Sequence, residues 1–438
     1  MGKFSNILRL TAWVALMMLG GCGTDDPVKG GALDRSFNAS NGYAILQSIA
    51  GVSTGGVETA VQPDGRIVVA GRRSGPLGDD VLVARYTADG LLDASFGGGG
   101  IVTFNGSGVG NDRALGLALQ PDGKILVAGY ATVTGSPKRD ILVLRFTASG
   151  ELDPAFGDAG VFVYNGSGNG TDIAFAVALQ PDGKILVAGE SATALSQDAL
   201  ILRLLPNGTL DTSFAGQGVF LFNGQAGGLD RFFDVKVQAD GKVLAAGSTS
   251  GVAGVDVLLV RLDPGGALDA SFGAGGAVRL RGPSAQDGYA NSLSVQPDGR
   301  LVVTGTLGKS GTFDLFAARF LPGGQLDTGF GTGGYFVYDA PSDGDDYGYA
   351  SSILGNGSIL IAGTSGNGPV TETVVLRLTS DGLPDGGFGQ AGAARYSLNS
   401  AAETTGYGMA LQQDGRIIVT GNTISSGIER LFVMRLLP

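Results

Sequence analysis

The chain predicts an all-β fold, a seven-bladed β-propeller with four antiparallel strands per blade, and three observations predict it. One segment of about 58 residues recurs seven times, each copy holds four strand-length runs, and the last copy stops partway where the N-terminus supplies the remainder. A repeat of this period is one supersecondary unit that buries its apolar faces only against its neighbours.

The anchor of each copy is a Gln-Pro-Asp-Gly turn, with its acidic residue at Asp64, Asp122, Asp182, Asp240, Asp298 and Asp414, and with Asn356 in a divergent sixth copy. Pro presets φ and Gly supplies the positive φ of a tight turn. In the best-formed copy this turn joins strand a, Ala114 to Gln120, to strand b, Lys124 to Gly129. Strand c runs from Ile141 to Phe146 and strand d from Gly160 to Tyr164, with Leu152-Asp153-x-x-Phe156 between them. Runs b and c are almost continuously apolar, as strands covered on both faces must be. Strand a carries small residues, Ala114, Gly116 and Ala118, which suit the crowded innermost place. Four strands in each copy give a propeller with almost no helix.

The seventh copy ends at Arg435-Leu-Leu-Pro438, where its siblings continue, as from Arg261 through Leu268-Asp269 to Phe272. The N-terminus reads Leu33-Asp34-Arg-Ser-Phe37, so Gly42 to Leu46 becomes strand d of the blade that the C-terminus begins. An open solenoid gains nothing from such a division, because its ends never meet. A ring gains a lock, and losing that strand would leave an open edge.

Residues 1–21 have the anatomy of a secretory signal: Lys3 and Arg9, then an apolar stretch from Leu10 to Leu19 too short to span a bilayer. Leu19-Gly-Gly-Cys22 resembles a bacterial lipobox, which implies lipid on Cys22, the only cysteine, and a tether over residues 22–29 before the propeller at 30–438. Gly23-Thr24 lacks the Asp that in lipoproteins typically retains the product at the inner membrane, so a lipid-anchored place in the bacterial envelope at the outer membrane is expected. The eight steps from Cys22 to Gly30 span at most about 28 Å and enter through a c–d loop, which turns the face bearing the a–b turns toward the membrane.

Processing would leave 27 basic against 40 acidic residues, which disfavours nucleic acid and anionic lipid as partners. The chain has no His, and Trp13 lies in the signal. Catalysis by Ser-His-Asp or Cys-His groups and His-ligated zinc or haem are thereby excluded. Carboxylate pairs, Tyr or Lys bases and oxygen-bound cations remain.

The composite Leu-Asp-x-x-Phe-Gly, Gln-Pro-Asp-Gly-Lys-Ile-Leu-Val-Ala-Gly and Asp-x-x-x-x-Arg-Leu/Phe resembles the delta-60 repeat family of bacterial secreted and surface proteins, over residues 30–438. The resemblance implies the fold and carries no activity or catalytic residues.

Alternating strand direction puts a–b turns and c–d loops on one face, and b–c and d–a loops on the other. The first face repeats, so its Asp residues and Arg85, Arg145, Arg203, Arg261, Arg319, Arg377 and Arg435 read as turn caps and ion pairs. The second varies, and variable loops on a fixed scaffold are where binding resides. Just before strand a stand Asp112, Asp172, Asp230, Asp287 and Asp346, with Asp343 and Asp345 beside the last. They can ring an axial pocket that attracts a cationic ligand or Ca²⁺, or each can cap its own loop. Tyr289, Tyr347, Tyr349 and Tyr407 approach the same mouth as ligand contacts or as filling near the axis.

These residues favour a monomeric, lipid-anchored binding or scaffold propeller that engages an envelope or extracellular protein or polymer, without a cofactor unless Ca²⁺ is held. The alternative is a carboxylate-based glycoside hydrolase or lyase at the channel mouth.

Overall fold

The computed structural model describes residues 29–438 apart from 48–51, 107–109, 134–135, 137, 193–195, 225–226, 252–253, 283–286, 310, 341–343, 368–369 and 399–402. The signal, Cys22 and the tether up to residue 28 lie outside the described residues. Seven four-stranded antiparallel sheets follow one another along the chain. The second is typical, with strands at Arg113–Leu119, Ile125–Thr132, Arg139–Phe146 and Val161–Tyr164. Among the described residues the helical content is one 3₁₀ turn, Phe214–Gly216, and no helix is long and apolar enough to cross a membrane.

Blades are numbered here from the sheet that begins at Thr54. Blade 7 takes strands a to c from Glu403–Leu411, Ile417–Ser425 and Ile428–Leu436, and its strand d from Tyr43–Ile45. The register pairs Tyr43 with Met434, Ala44 with Val433 and Ile45 with Phe432. Asp34 N–H donates to Arg435 O at 2.9 Å, as Asp93 N–H does to Arg85 O within blade 1. The ring therefore closes by the same hydrogen bonds that build every other blade.

The cores lie between blades. Leu126, Ala128, Ile141 and Val143 of blade 2 pack with Ala174, Ile185, Val187 and Leu200 of blade 3 in one buried cluster. This accounts for the unbroken apolar runs: each aliphatic side chain buried on either face contributes about 1.5–3 kcal/mol, and the two middle strands have no exposed face to make polar.

Every strand a carries a bulge at one position, as between Ala114 and Gly116 in blade 2. The strand presses inward there, and a Cβ on Gly129 would lie 1.9 Å from Arg113 O. Gly71, Gly189, Gly247, Gly305, Gly363 and Gly421 meet the same obstacle at 1.8 or 1.9 Å. The glycine that ends each Val-Ala-Gly-like run is thus required by close backbone approach. The bulge also leaves its extra residue half-buried on the innermost strand: Val57, Leu115, Phe175, Phe233, Asn291, Tyr349 and Tyr407.

Candidate functional site

The repeated face is built from one recurring unit. In each blade the Arg at the end of strand c pairs with the Asp of the Leu-Asp-x-x-Phe loop, or Pro-Asp-x-x-Phe in blade 6, at 2.7–2.9 Å. Its guanidinium carbon lies 4.5–4.9 Å from the centre of the loop's Phe ring. The Arg also reaches the next blade, as Arg203 does by donating to Pro264 O. In six blades a second base, Arg or Lys two residues after the turn Asp, joins the same carboxylate. Blade 6 has Ser358 there, but Asn356 Oδ1 still accepts the Ser358 N–H at 3.0 Å, so the turn survives its degenerate sequence.

The variable face differs blade by blade. Asp112, Asp172, Asp230 and Asp346 are buried at 2% exposure or less and hold the d–a loop to the blade. Asp172 accepts Gly166 N–H at 2.7 Å, Ser191 Oγ–H at 2.5 Å and Ala192 N–H at 3.2 Å. Asp230 makes the matching set with Gly224, Thr249 and Ser250. Asp112 accepts Gly106 and Thr132 N–H groups, and Asp346 accepts Ala340 N–H at 2.7 Å. Burial, against the loop hydrogen bond, raises the pKa of Asp346.

Asp287 stands one residue earlier, because Gly288 occupies the buried position in blade 5. Its carboxylate is half-exposed and accepts Val255 N–H of the preceding blade at 2.7 Å. Asp345 does the same to Phe313 N–H at 3.0 Å, so both fasten neighbouring blades. Asp343 lies outside the described residues.

The tyrosines do come together. Phe313, Tyr347, Tyr349 and Tyr407 form a continuous arc over blades 5 to 7, with successive ring centres 5.7, 6.0 and 4.9 Å apart. Tyr347 and Tyr349 are stacked at 13°, and Tyr347 O–H donates to Asp345 at 3.3 Å. Burial raises the pKa of each of the three tyrosines, so the hydroxyls stay protonated at neutral pH. Tyr289 stands one blade back, its pKa raised by burial and by Asp287. Phe175 and Phe233 meet edge to face on the far side, with ring centres 5.1 Å apart. The bulge position aligns Tyr349, Tyr407, Phe175 and Phe233, a signal the sequence carries only once the bulge is known.

Three arginines at the mouth are paired. Arg72 meets Glu429 and Asp79, Arg113 meets Asp79, and Arg231 meets Glu190. Deeper in the channel strand a is lined by Ala, Gly and Ser except at Glu58, Asp234 and Lys236. Lys236 Nζ donates to Asp234 at 2.8 Å, and Glu58 of blade 1 feels both across the axis. Burial pushes the Glu58 carboxyl up to about 7. Sequence reasoning missed this trio because its members do not recur in the other copies.

For a metal ion, Asp314, Asp339 and Asp346 are, among the described residues, the carboxylates grouped closely enough, with ligand oxygens within 4.8 Å of one another. Lys309 bonds Asp339 and lies 3.8 Å from Asp314, so an ammonium already balances part of that charge.

The model of a domain of unknown function, the DUF5122 β-propeller, matches residues 62–96, 120–156, 180–214, 238–272, 296–330, 354–388 and 412–438. The chain belongs to this family. Six of the seven matched segments of the DUF5122 propeller run from the a–b turn to the Phe of the c–d loop, the same composite that resembles delta-60 repeats, and the seventh ends after strand c. A search of curated protein sequences finds no match. Among solved structures, the polysaccharide lyase Uly1 is similar, at 14% identity and a TM-score of 0.52, over 93% of this chain and 97% of that one. A protein of unknown function from Dyadobacter fermentans, at 12% identity and a TM-score of 0.48, covers 90% and 97%. Sqt1 from Chaetomium thermophilum, at 13% identity and a TM-score of 0.46, covers 88% and 96%. At 14% identity the likeness of the DUF5122 propeller to Uly1 shows the fold alone, and nothing of that protein's activity follows.

Proposed function

We propose that this propeller is a binding scaffold of the cell envelope, anchored by lipid on Cys22, that takes a protein or polymer at the axial mouth of its variable face. One observation carries the reading: seven blades repeat the Arg–Asp–Phe unit on one face, while at the other mouth the bulge residues alone read Val57, Leu115, Phe175, Phe233, Asn291, Tyr349 and Tyr407. Structural demands act alike on every blade, so divergence around one mouth is what recognition of a single asymmetric ligand would produce. The tether would turn the repeated face to the membrane and the mouth outward.

The test is retention of the purified protein on envelope fractions, comparing Tyr349→Ala/Tyr407→Ala at the mouth with Asp122→Ala/Asp182→Ala on the repeated face. Loss with the first pair alone supports the reading; equal loss, or none, rejects it. A second reading, a carboxylate-based glycoside hydrolase or lyase at the channel mouth, draws its support from Glu58, a carboxyl poised near 7 opposite Lys236. Glu58→Gln would then abolish a measured turnover while the fold persists.

A further inference from the structure

We propose that the arc of Phe313, Tyr347, Tyr349 and Tyr407 is a platform for uncharged saccharide rings, so that the polymer engaged at the mouth is a neutral polysaccharide; this rests on the mouth being the binding site. Three independent features point the same way.

The arc presents aromatic faces whose own side chains are uncharged. Its rings are half-buried, stepped over three blades, and fastened by the exposed Asp345, which holds both the Phe313 backbone and the Tyr347 hydroxyl. Tyr supplies an apolar body for the C–H face of a sugar and a polar tip for its hydroxyls. An arc in which neighbouring rings lean on one another, two of them within 13° of parallel, offers a surface and not the facing walls that enclose a cation.

The second feature is that the arginines nearest this sector are already paired with carboxylates. Arg72, Arg113 and Arg231 are each engaged by Asp79, Glu190 or Glu429, on the side of blades 7 through 4. These three guanidiniums are thereby already balanced and not free to grip a uronate or sulfate, which a charged polysaccharide would require.

The third is an unmet hydrogen-bonding demand beside the rings. Thr306 and Thr364 are 3% and 4% exposed, and neither hydroxyl has a hydrogen-bond partner. They pair across the strands with Tyr289 and Tyr347. The equivalent residues of blades 3 and 7, Glu190 and Asn422, cross to the next blade, to Arg231 and to the Gly56 N–H. A threonine is too short to cross, so its hydroxyl is left facing the same seam behind the arc. Leaving a buried hydroxyl unpaired costs about 1–3 kcal/mol, and a hydroxyl-rich ligand that holds one water in the seam is the kind that recovers it. Apolar surface with a few convergent polar groups is the usual make-up of a small-molecule site.

The experiment is binding of the full-length protein, purified in detergent, to an array of neutral, uronate-bearing and sulfated oligosaccharides with choline as a cationic control. Calorimetry then measures Kd for the best neutral glycan with wild type, Tyr349→Ala, Tyr349→Phe and Thr364→Val. The proposal expects a neutral glycan to bind, Tyr349→Ala to weaken it about tenfold or more, equivalent to about 1.4 kcal/mol, Tyr349→Phe to stay within about threefold, and Thr364→Val to lie between them. Unchanged thermal melting of Tyr349→Phe shows that the arc itself is intact. Binding confined to uronates, sulfated glycans or choline overturns the proposal, as does binding to none, or an unaffected Tyr349→Ala. If envelope retention still depends on Tyr349 and Tyr407 while no neutral glycan binds, the mouth stands and the saccharide falls. If retention is independent of both, the mouth falls too.

Discussion

Arg435 Nε lies 2.9 Å from Asp34 Oδ2, a buried ion pair between residues at opposite ends of the chain. Arg416 reaches the same carboxylate at 2.6 Å, and Phe37 lies under the Arg435 guanidinium at 4.8 Å. The ion pair, the second base and the ring contact of the other blades are rebuilt from two chain ends, so the seam should be about as strong as an interior junction. Asp34→Ala strands a guanidinium that is 6% exposed; removing one partner of a buried pair costs about 3–5 kcal/mol. Asp211→Ala in blade 3 should cost the same, and calorimetry should show both melting a few degrees below wild type. A seam variant that melts like wild type would contradict closure by this pair.

Acid should open the ring within a defined window. Burial alone would raise Asp211, but hydrogen bonds from Ser213 and Lys184 and the charge of Arg203 outweigh it and hold the carboxyl at about 2. Asp34, Asp93, Asp153 and Asp269 are lowered by the same balance. A folded pKa below the unfolded value gives stability that is complete above the unfolded pKa and is lost as pH falls through the folded one. Melting temperature should therefore drop steeply from about pH 4 to pH 2. Asp211→Asn should be less stable at pH 7 and lose less on acidification; parallel curves would count against this assignment.

Two glycines separate conformational strain from packing between blades. Gly208 and Gly216 have φ of +84° and +80°, but a Cβ on Gly208 would meet Gly157 N at 2.6 Å and the Phe156 ring at 2.7 Å, while nothing lies within 4 Å of one on Gly216. Gly216→Ala should cost about 1–2 kcal/mol for the left-handed backbone. Gly208→Ala should cost about 1–3 kcal/mol more for the overpacked junction with the preceding blade. Denaturant unfolding of the two variants measures the difference, and equal midpoints would mean that the ring yields at no cost.

How much of this was legible in the sequence depends on whether a feature recurs. The Asn356 turn, the Arg435–Asp34 junction and the strand at Tyr43 follow from copies that repeat the same demand. Asp112 and Asp287 show the opposite case. Both precede strand a, yet a one-residue offset buries the first and half-exposes the second, since neighbouring positions on a strand face opposite ways. The bulge hid the alignment of Tyr349 with Phe175 and Phe233 for the same reason, by inserting a residue into an alternation that sequence reading counts in twos. Glu58 and Lys236 are separated by three blades, and only closure of the ring brings them into electrostatic range.

Lys309 gives the acidic cluster of blade 5 a testable character. Its ammonium bonds Asp339 and approaches Asp314, beside the buried Asp346. With a cation built into the fold, wild-type protein should change its melting temperature by less than about 1 °C between Ca²⁺ and EDTA, because only a ligand bound by the native state stabilises it. Lys309→Met removes that charge and should lower stability by about 1 kcal/mol, the modest value of a partly exposed pair. A large Ca²⁺ shift in wild type would show that the ion displaces the lysine.

The axial carboxyl should respond to pH in the sense opposite to the rim. Glu58 has its folded pKa raised, chiefly by burial, from the usual carboxylate range to about 7, with Lys236 and the Thr59 N–H opposing the shift. The folded state then holds the proton more tightly than the unfolded chain, so this contribution is complete below the unfolded pKa of about 4.5 and disappears as pH rises through 7. Its size is on the order of 1–3 kcal/mol. Glu58→Gln keeps the shape and removes the titration: it should match wild type at pH 4.5, exceed it in thermal stability at pH 8, and flatten the decline between. Lys236→Met removes the opposing charge and should steepen that decline, so that one residue on each side of the channel moves the same curve in opposite directions. Identical pH profiles for all three proteins would mean that Glu58 is solvated in the channel and does not feel the far wall.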